Sequence, residues 1–330
     1  MRVTSLSPLQ HRPNSAGDLQ RVEASLRDAA TTQDDFLTEV ASHLIPAGGK
    51  RLRPAMVIAA SLSHNTDGAG ENAVTEEMIR GGVAVELVHL GSLYHDDVMD
   101  EAETRRGIEA VNNRWGNLVA ILAGDFLLAK ASELAASLGT EVAELLAATI
   151  GHLCEGQVRE LQLIYNVDRD ESGYLEAIGG KTAALFATSC RIGALVAGCD
   201  RTSVEQLTQY GYAYGMAFQI VDDILDLVAT DEELGKPSGN DLREGVYTLP
   251  VIRMIKANDP VKELLGAPLS TEERDFARSL VVNGKEIATS IETAREYAEE
   301  ALEAISGFPT TIGTLGLRSA AANLLSALDR

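Results

Sequence analysis

The sequence is poor in aromatic residues, in cysteines and in long apolar runs. Phe, Trp and Tyr make up 5% of its 330 residues, while Ala and Leu are abundant, which favours helices over strands. The three cysteines, Cys154, Cys190 and Cys199, have no CxxC spacing and lie in apolar helical contexts, so we expect reduced, buried thiols rather than a disulfide or a zinc site. No run of about 18 apolar residues occurs and the N-terminus has no apolar signal segment, so we expect no membrane span and a cytoplasmic location.

Positive charge is also scarce, because 28 Lys and Arg residues stand against 49 Asp and Glu residues and the formal net charge is −21. A surface this acidic repels DNA, RNA and anionic lipid, so we expect no nucleic-acid partner. An anionic substrate would have to be held by a local group of cations or by metal ions. The positions of the few Lys and Arg residues are therefore informative.

The apolar pattern is that of a large helical bundle. Its periodicity predicts helices at about 17–45, 75–100, 117–138, 141–165, 171–198 and 203–229, and further helices beyond about 270. No segment alternates with the period of two that a half-buried strand requires. The glycine-rich stretch 230–246 is either a domain linker or a functional loop, and we favour the loop because it follows residues that carry chemistry. The sequence thus predicts an all-α fold with one domain over residues 1–330, in which about 1–16 form a flexible segment.

Two identical Asp-rich motifs end two of the predicted helices. The first comprises Asp96, Asp97 and Asp100, and the second comprises Asp222, Asp223 and Asp226. Residues i and i+4 share a helix face, so carboxylates at this spacing repel each other and need a cation nearby. A solvated acidic face is the alternative, but both motifs follow almost wholly apolar stretches, where carboxylates must be paired or bind metal. Without clustered Cys or His, the motifs favour Mg²⁺ and predict a cage for a metal-bridged diphosphate.

The cations cluster in four places between and around the Asp-rich motifs. They are Lys50, Arg51 and Arg53 in GGKRLRP, Arg105 and Arg106 before a glycine, Lys181 beside Thr182 in an apolar helix, and Lys236 in the glycine-rich loop. Arg binds phosphate as a bidentate fork and Lys as a point charge. Each cluster alone could be ordinary surface charge. Together with the two acidic motifs they indicate two phosphate sites, one held by metal ions and one held directly by Lys and Arg.

These motifs, in this order and spacing, resemble those of the trans-isoprenyl diphosphate synthases, also called polyprenyl synthetases. The resemblance covers about residues 45–255 and rests on GGKRLRP, ELVHLGSLYHDDVMDEAETRRG, AGDFLLAKA, EGQVREL, KTAALF, GMAFQIVDDILD and GKPSGNDLREGVYTLP. It implies a bundle of about a dozen helices around a deep central cavity, the isoprenoid synthase fold, assembled as a homodimer. It also implies that the chain condenses isopentenyl diphosphate with an allylic diphosphate through metal-assisted ionisation, with two or three Mg²⁺ ions.

The resemblance assigns roles to individual residues. Isopentenyl diphosphate would be held by Lys50, Arg53, His89 and Arg106. Mg²⁺ would be ligated by Asp96, Asp100, Asp222 and Asp226, and the carboxylates of Asp97 and Asp223 would support catalysis beside them. The allylic diphosphate and its developing charge would be contacted by Arg105, Lys181, Thr182, Gln219 and Lys236. His95 adjoins the first motif, but we assign it no ligand role.

Small residues before the first Asp-rich motif bear on the length of the product. In the family that the chain resembles, side chains at these positions set the floor of the cavity, and here they are Gly91 and Ser92. The absence of a bulky residue favours a long-chain product over geranylgeranyl diphosphate. The facing helix could set the floor instead, through Phe126 or Leu128. The stretch EGQVREL also departs from short-chain members, which commonly carry Asp at the position of Glu160.

Two other functions are compatible with part of this pattern. A terpene cyclase shares one Asp-rich motif, but it usually has a different second motif and no second diphosphate site. A regulatory subunit of a heteromeric synthase typically lacks one or both motifs, and both are intact here. An interaction protein would have no use for two metal cages. The sequence therefore favours a catalytic synthase.

Overall fold

The computed structural model describes residues 7–64, 73–234, 238–257, 260–326 and 328. Almost all regular structure in these ranges is helical, as the sequence predicts. The long helices are α1 (Ser15–Ala30), α2 (Asp35–Ser42), α3 (Leu52–Ser61), α4 (Glu76–Met99), α6 (Asn117–Ser137), α7 (Thr140–Gln162), α8 (Glu171–Ile178), α9 (Ala184–Val196), α10 (Arg201–Val228), α13 (Leu249–Lys256), α15 (Thr271–Asn283), α16 (Glu286–Ala304) and α17 (Ile312–Ser326). The short ones are α5 (Val111–Trp115), α11 (Asp231–Leu234), α12 (Asn240–Glu244) and α14 (Val261–Leu264).

The only strands in the described residues form one small hairpin, in which β1 (Thr104–Arg105) pairs antiparallel with β2 (Ile108–Glu109). Two residues are too few to show a period-two pattern in the sequence. Arg106 and Gly107 form the turn, and both have positive φ. The hairpin follows the first Asp-rich motif directly and folds Arg105 and Arg106 back toward it.

The helix predicted at 17–45 is two helices in the structure. The break lies at Thr31–Asp34, where the Asp34 carboxylate accepts a hydrogen bond from the backbone N–H of Leu37 and starts α2. A side-chain oxygen in this position satisfies one of the free N–H groups of a first helical turn. The apolar period continues across the break, so periodicity alone does not reveal it.

The helix predicted at 171–198 is also interrupted. Gly179–Ala183 form one π-helical turn between α8 and α9. The two glycines at its start let the backbone pass very close to α7, because a Cβ on Gly180 would lie 2.8 Å from the carbonyl oxygen of His152. Such π-turns are frequent at functional sites, and this one carries Lys181 and Thr182.

The helices enclose α4, α9 and α10 as the buried centre. Helix α4 packs against α1, α3, α6 and α9, and α10 packs against α9, the π-turn and α16. A second apolar cluster joins the C-terminal half of α10 to α8, α13, α15 and α16. Within the segment expected to be flexible, Leu9 is buried and His11 contacts Ser319 on α17. None of the described helices is both long and apolar enough to cross a membrane.

Candidate active site

A cavity of about 880 Å³ opens between α4, α6, α7, the π-turn and α10. Its wall carries Asp96 from the first Asp-rich motif and Asp222 from the second. It also carries residues of three of the four cationic clusters, while the fourth, at Lys236, lies outside the described residues. The same wall also carries apolar side chains, among them Leu93, Leu153, Leu185 and Phe218. The cavity is thus lined by acidic, basic and apolar side chains together.

The first Asp-rich motif divides between the cavity and the protein interior. Asp96 lines the cavity, and burial raises its pKa to about 6 although Lys181 opposes the shift. Asp100 is exposed at the end of α4, but the surrounding protein still desolvates its carboxylate in part, and this raises its pKa. Asp97 is fully buried and accepts a hydrogen bond of 2.6 Å from Nε of Arg105. Asp97 therefore anchors the hairpin that carries Arg105 and is absent from the cavity lining, and its catalytic role stays a prediction.

The second motif divides in the same way. Asp222 is exposed to the cavity, whereas Asp223 and Asp226 are buried behind its wall. Asp223 accepts hydrogen bonds from Tyr174 and Gln219, and burial raises its pKa to about 7. Asp226 accepts a hydrogen bond from the backbone N–H of Asp241, and its carbonyl accepts one from Gly239. The structure places Asp223 and Asp226 behind the cavity wall, and the catalytic role of Asp223 and the metal-binding role of Asp226 stay predictions.

The acidic residues fit Mg²⁺ only in company with further oxygen ligands. No three acidic, His or Cys side chains in the described ranges converge closely enough to form a metal site by themselves. The pKa values of Asp96 and Asp100 are raised, so ionised carboxylates here are electrostatically costly until a cation arrives. One carboxylate oxygen of Asp97 is buried without a hydrogen bond. Mg²⁺ commonly binds one or two carboxylates and completes its coordination shell with water and phosphate oxygens. The carboxylates of the two Asp-rich motifs fit such a site.

Four basic side chains of the same lining form a cationic wall, defined as Lys50, Arg53, His89 and Arg106. Burial lowers the pKa of Arg53 to about 10 and that of His89 well below its usual value, and neighbouring arginines lower the latter further. Nε of Arg53 is buried without a hydrogen-bond partner, while its guanidinium carbon lies 4.7 Å above the ring of Phe186. Buried, incompletely paired cations of this kind favour an anionic ligand.

The cationic wall is held in place by a buried ion pair that the sequence analysis did not identify. Arg51 is in the left-handed region at φ 46° and donates to Glu86 on α4 at 2.8 Å and to Glu23 on α1 at 2.5 Å. This fixes the loop that presents Lys50 and Arg53. A signal was present, because Glu86 is an acid in the apolar stretch VAVELV and needs a cationic partner when buried.

Lys181 and Thr182 reach the cavity from the π-turn. Nζ of Lys181 pairs with Glu160 on α7, and the pKa of Lys181 is raised because the carboxylates of Glu160, Asp96 and Asp100 outweigh the opposing effect of burial. This confirms that the lysine is paired, although sequence reasoning did not identify its partner. Thr182 donates to Gln219 at 2.7 Å, so these two predicted residues are in direct contact.

The two residues predicted to set the cavity floor occupy different surroundings. Ser92 lines the cavity. Gly91 does not, because it lies at the crossing of α4 and α6, where a Cβ would be 3.0 Å from the carbonyl oxygen of Gly124 and 3.2 Å from Leu128. Gly91 thus allows close packing of α4 against α6, Ser92 alone of the two lines the cavity, and the chain-length roles of both stay predictions. Phe126 and Leu128 pack against the core and are absent from the cavity lining.

The chain is similar to proteins of known family over most of its length. The family model described as "Polyprenyl synthetase" matches residues 34–280. Among curated proteins, heptaprenyl diphosphate synthase component 2 of Geobacillus stearothermophilus is 38% identical over 296 residues, covering 88% of this chain and 90% of the relative. Nonaprenyl diphosphate synthase of Mycobacterium tuberculosis is 38% identical over 304 residues, covering 90% and 88%.

Solved structures support the same relationship. The polyprenyl synthase from Caulobacter crescentus, complexed with calcium and isoprenyl diphosphate, has a TM-score of 0.89 and 33% identity and covers 98% of both chains. A heptaprenyl diphosphate synthase from Staphylococcus aureus has a TM-score of 0.88 and 31% identity, covering 94% of this chain and 98% of that one. The fold is therefore that of the isoprenoid synthases, as expected from the motifs.

Proposed function

Because the chain belongs to the polyprenyl synthetase family, we propose that its cavity joins isopentenyl diphosphate to an allylic diphosphate and builds a long trans-polyprenyl chain. The chain is a prenyltransferase. The observation that carries the proposal is one cavity whose lining combines the cationic wall, the carboxylates of Asp96 and Asp222, and apolar side chains. Two diphosphate groups held by different means beside an apolar space are what this condensation requires.

The cationic wall is the site proposed for isopentenyl diphosphate. Its Lys and Arg side chains can neutralise the diphosphate directly. His89 is held neutral by burial and by the neighbouring arginines, so it can offer a hydrogen bond without adding charge. Arg106 connects the loop at Gly48 with His89. It donates a hydrogen bond to the carbonyl of Gly48, and its Nη2 lies 3.4 Å from Nε2 of His89. The diphosphate would thus be fixed with its apolar part directed along the cavity.

The allylic diphosphate is proposed to bind at the two Asp-rich motifs. Asp96, Asp100 and Asp222 would hold Mg²⁺, which when bound supplies positive charge to the diphosphate as it becomes a leaving group. Lys181 would leave Glu160 and pair with the diphosphate, while Gln219 contributes an amide beside it. Arg105 is held by Asp97 and would add a further cation close to Asp96 and Asp100. These groups together favour the charge that develops on the departing oxygen.

The reaction breaks the allylic C–O bond and forms one C–C bond. The departing diphosphate keeps the bonding electrons, and the double bond of isopentenyl diphosphate attacks the resulting allylic cation. A proton is then lost from the new chain and can pass to the departing diphosphate, so no side-chain base is required. The apolar wall around Leu153, Leu185 and Phe218 excludes water, which would otherwise capture the cation.

A product assay tests the proposed function. Purified protein would receive isopentenyl diphosphate with geranyl, farnesyl or geranylgeranyl diphosphate, in Mg²⁺ and then in EDTA, and the products would be sized by mass after removal of the diphosphate. We expect a metal-dependent series that ends beyond geranylgeranyl. Asp96→Ala should abolish turnover by removing a carboxylate from the cavity wall while the helical circular dichroism is kept. Normal turnover by Asp96→Ala would contradict the metal role, and a product that stops at geranylgeranyl would contradict the chain length.

We also propose that the chain forms a homodimer through α6. The exposed face of this helix carries Leu118, 79% exposed, and Leu122, 66% exposed. Apolar side chains this exposed on one helix are typical of an interface. The name of the Geobacillus relative, component 2, indicates a second protein in that enzyme, so a different partner is the alternative occupant of the face.

A further inference from the structure

A chain of buried and part-buried hydrogen bonds runs from behind the second Asp-rich motif to the cavity wall. The hydroxyl of Tyr174 donates to Oδ2 of Asp223 at 2.5 Å, and Nε2 of Gln219 donates to Oδ1 of the same carboxylate at 2.7 Å. Oε1 of Gln219 in turn accepts from Thr182 at 2.7 Å. The chain therefore joins α8, α10 and the π-turn through side chains alone.

Asp223 lies at the centre of these hydrogen bonds, and its position helps to orient its neighbours on α10. It is 6% exposed, and each of its two oxygens accepts a hydrogen bond from a side chain. Asp222, the next residue, faces the cavity, and Gln219, one helical turn earlier, also lines it. Fixing the Asp223 carboxylate fixes the rotation of this part of α10 and so the direction in which Asp222 and Gln219 point.

Tyr174 is itself held in place, by Asp223 at its hydroxyl and by Arg169 near its ring. It is 1% exposed at the start of α8, and the guanidinium carbon of Arg169 lies 5.6 Å from the centre of its ring. Arg169 is buried too and donates to the carbonyl of Tyr247 at 3.2 Å. The phenol therefore has little freedom to turn away from Asp223, and its hydroxyl keeps a fixed place beneath the second Asp-rich motif.

Other buried tyrosines show that this arrangement differs from ordinary core packing. The hydroxyl of Tyr210 donates to the carbonyl of Leu317 at 2.7 Å, and that of Tyr94 donates to the carbonyl of Val40 at 2.9 Å. Both bonds connect backbone segments away from the second Asp-rich motif. Tyr174 instead bonds to a carboxylate within that motif.

We infer that Tyr174 is a positioning residue, which acts through Asp223 to hold Asp222 and Gln219 toward the allylic diphosphate. The inference rests on the proposed function for the identity of the ligand. It assigns a task to a residue in α8 that lies 48 positions before Asp222 in the sequence and does not line the cavity. Tyr174 would influence binding of the allylic diphosphate alone, because the hydrogen-bond chain does not extend to the cationic wall within the described part of the protein.

Tyr174→Phe tests the inference, with Tyr210→Phe as the matched control. Each variant removes one hydroxyl from a fully buried ring and leaves the ring in place. A hydrogen bond to a charged group is worth more than one to a neutral carbonyl, so for Tyr174→Phe we expect the KM for the allylic diphosphate to rise about tenfold. The KM for isopentenyl diphosphate should stay unchanged, and Tyr210→Phe should change neither constant.

A direct binding measurement separates this inference from the proposed function. A thiolo analogue of farnesyl diphosphate, which does not ionise readily, would be titrated calorimetrically into each full-length variant with Mg²⁺. The wild-type protein should bind it, and Tyr174→Phe should bind it about tenfold more weakly. Failure of the wild-type protein both to turn over substrate and to bind the analogue would contradict the proposed function. Wild-type binding with unchanged affinity in Tyr174→Phe would overturn the positioning role alone.

A second background shows whether Tyr174 acts through Asp223. In an Asp223→Ala protein both acceptor oxygens are gone, so adding Tyr174→Phe should weaken analogue binding by less than twofold further. Thermal unfolding should show both single tyrosine variants folded, with the larger loss of stability in Tyr174→Phe, whose hydroxyl bonds to a carboxylate. A full tenfold further effect of Tyr174→Phe in the Asp223→Ala background, or equal weakening of both substrates, would assign Tyr174 to general packing and overturn the inference.

Discussion

The charged side chains around the cavity fall into two classes according to their partners. Some are paired within the protein, as Arg51 is with Glu86 and Lys181 is with Glu160. Arg53 belongs to the other class, because burial lowers its pKa to about 10 and it makes no ion pair of its own in the described residues. A buried cation of this kind is costly without a ligand, so this part of the wall is stabilised most when a diphosphate binds.

His89 allows a prediction about pH. Burial and nearby arginines hold its pKa well below the usual value of about 6.5, so below that pH the unfolded chain binds a proton that the folded chain does not. Folding stability contributed by neutral His89 is thus present above about pH 6.5 and is lost as the pH falls, at no more than about 1.4 kcal/mol per pH unit. Urea unfolding at pH 7.5 and 5.5 should show a smaller loss for His89→Gln than for the wild-type protein.

The control for this experiment is His64→Gln, which removes an exposed imidazole from the end of α3. That variant should keep the wild-type dependence of unfolding free energy on pH. An identical pH dependence in His89→Gln and wild type would show that His89 takes up its proton in the folded state.

At the residue scale, motif reasoning identified the groups that face the cavity and missed those behind them. Asp96, Asp222, Lys50, Arg53 and Lys181 all line the cavity. Their supports were missed because a buried partner can come from any part of the chain. Asp223 and Tyr174 are 49 residues apart, and no spacing rule connects them.

At the element scale, the sequence predicts the positions of most long helices but not their interruptions. The break before α2 and the π-turn before α9 both occur inside continuous apolar patterns. The π-turn depends on a close approach to α7, where a Cβ on Gly156 would lie 2.5 Å from the backbone nitrogen of Lys181. This is a tertiary contact between distant glycines, so local periodicity cannot report it.

The crossing of α4 and α6 leads to a prediction about chain length. Ser92 lines the cavity, so Ser92→Phe should fill part of it and shorten the product by one or more isoprene units, as sized by mass. Gly91→Phe should not act in this way, because the side chain would meet the backbone of Gly124 rather than the cavity. Overpacking at such a contact costs about 1–3 kcal/mol or more, so this variant should be destabilised.

Gly91→Ala is the gentler control for the same crossing. Its Cβ would lie 3.0 Å from a backbone oxygen, so we expect a lower Tm with a wild-type product distribution. An unchanged product from a folded Ser92→Phe protein would place the cavity floor elsewhere. A shorter product from Gly91→Phe at wild-type stability would show that position 91 does face the growing product.

At the scale of the whole molecule, the cavity wall concentrates positive side chains although the net charge of the chain is negative. The chain carries a net charge of −21, yet Lys50, Arg53, Arg106 and Lys181 all face one cavity. An acidic exterior repels anions in general and a cationic cavity wall attracts them locally. Diphosphates would therefore be retained at the cavity and not on the surrounding surface.

The exposed face of α6 gives the last prediction, which concerns assembly. Each buried leucine is worth about 1.5–3 kcal/mol, and a two-fold interface counts every substitution twice. The double variant Leu118→Glu with Leu122→Glu should therefore raise the dimer dissociation constant more than about a thousandfold and sediment as a monomer, while the wild-type protein sediments as a dimer. Phe276→Glu, at a side chain on α15 that is 55% exposed, should leave the dimer intact. A wild-type protein that stays monomeric at micromolar concentration would contradict the homodimer, and the apolar face would then indicate a different partner chain, as the component 2 relative suggests.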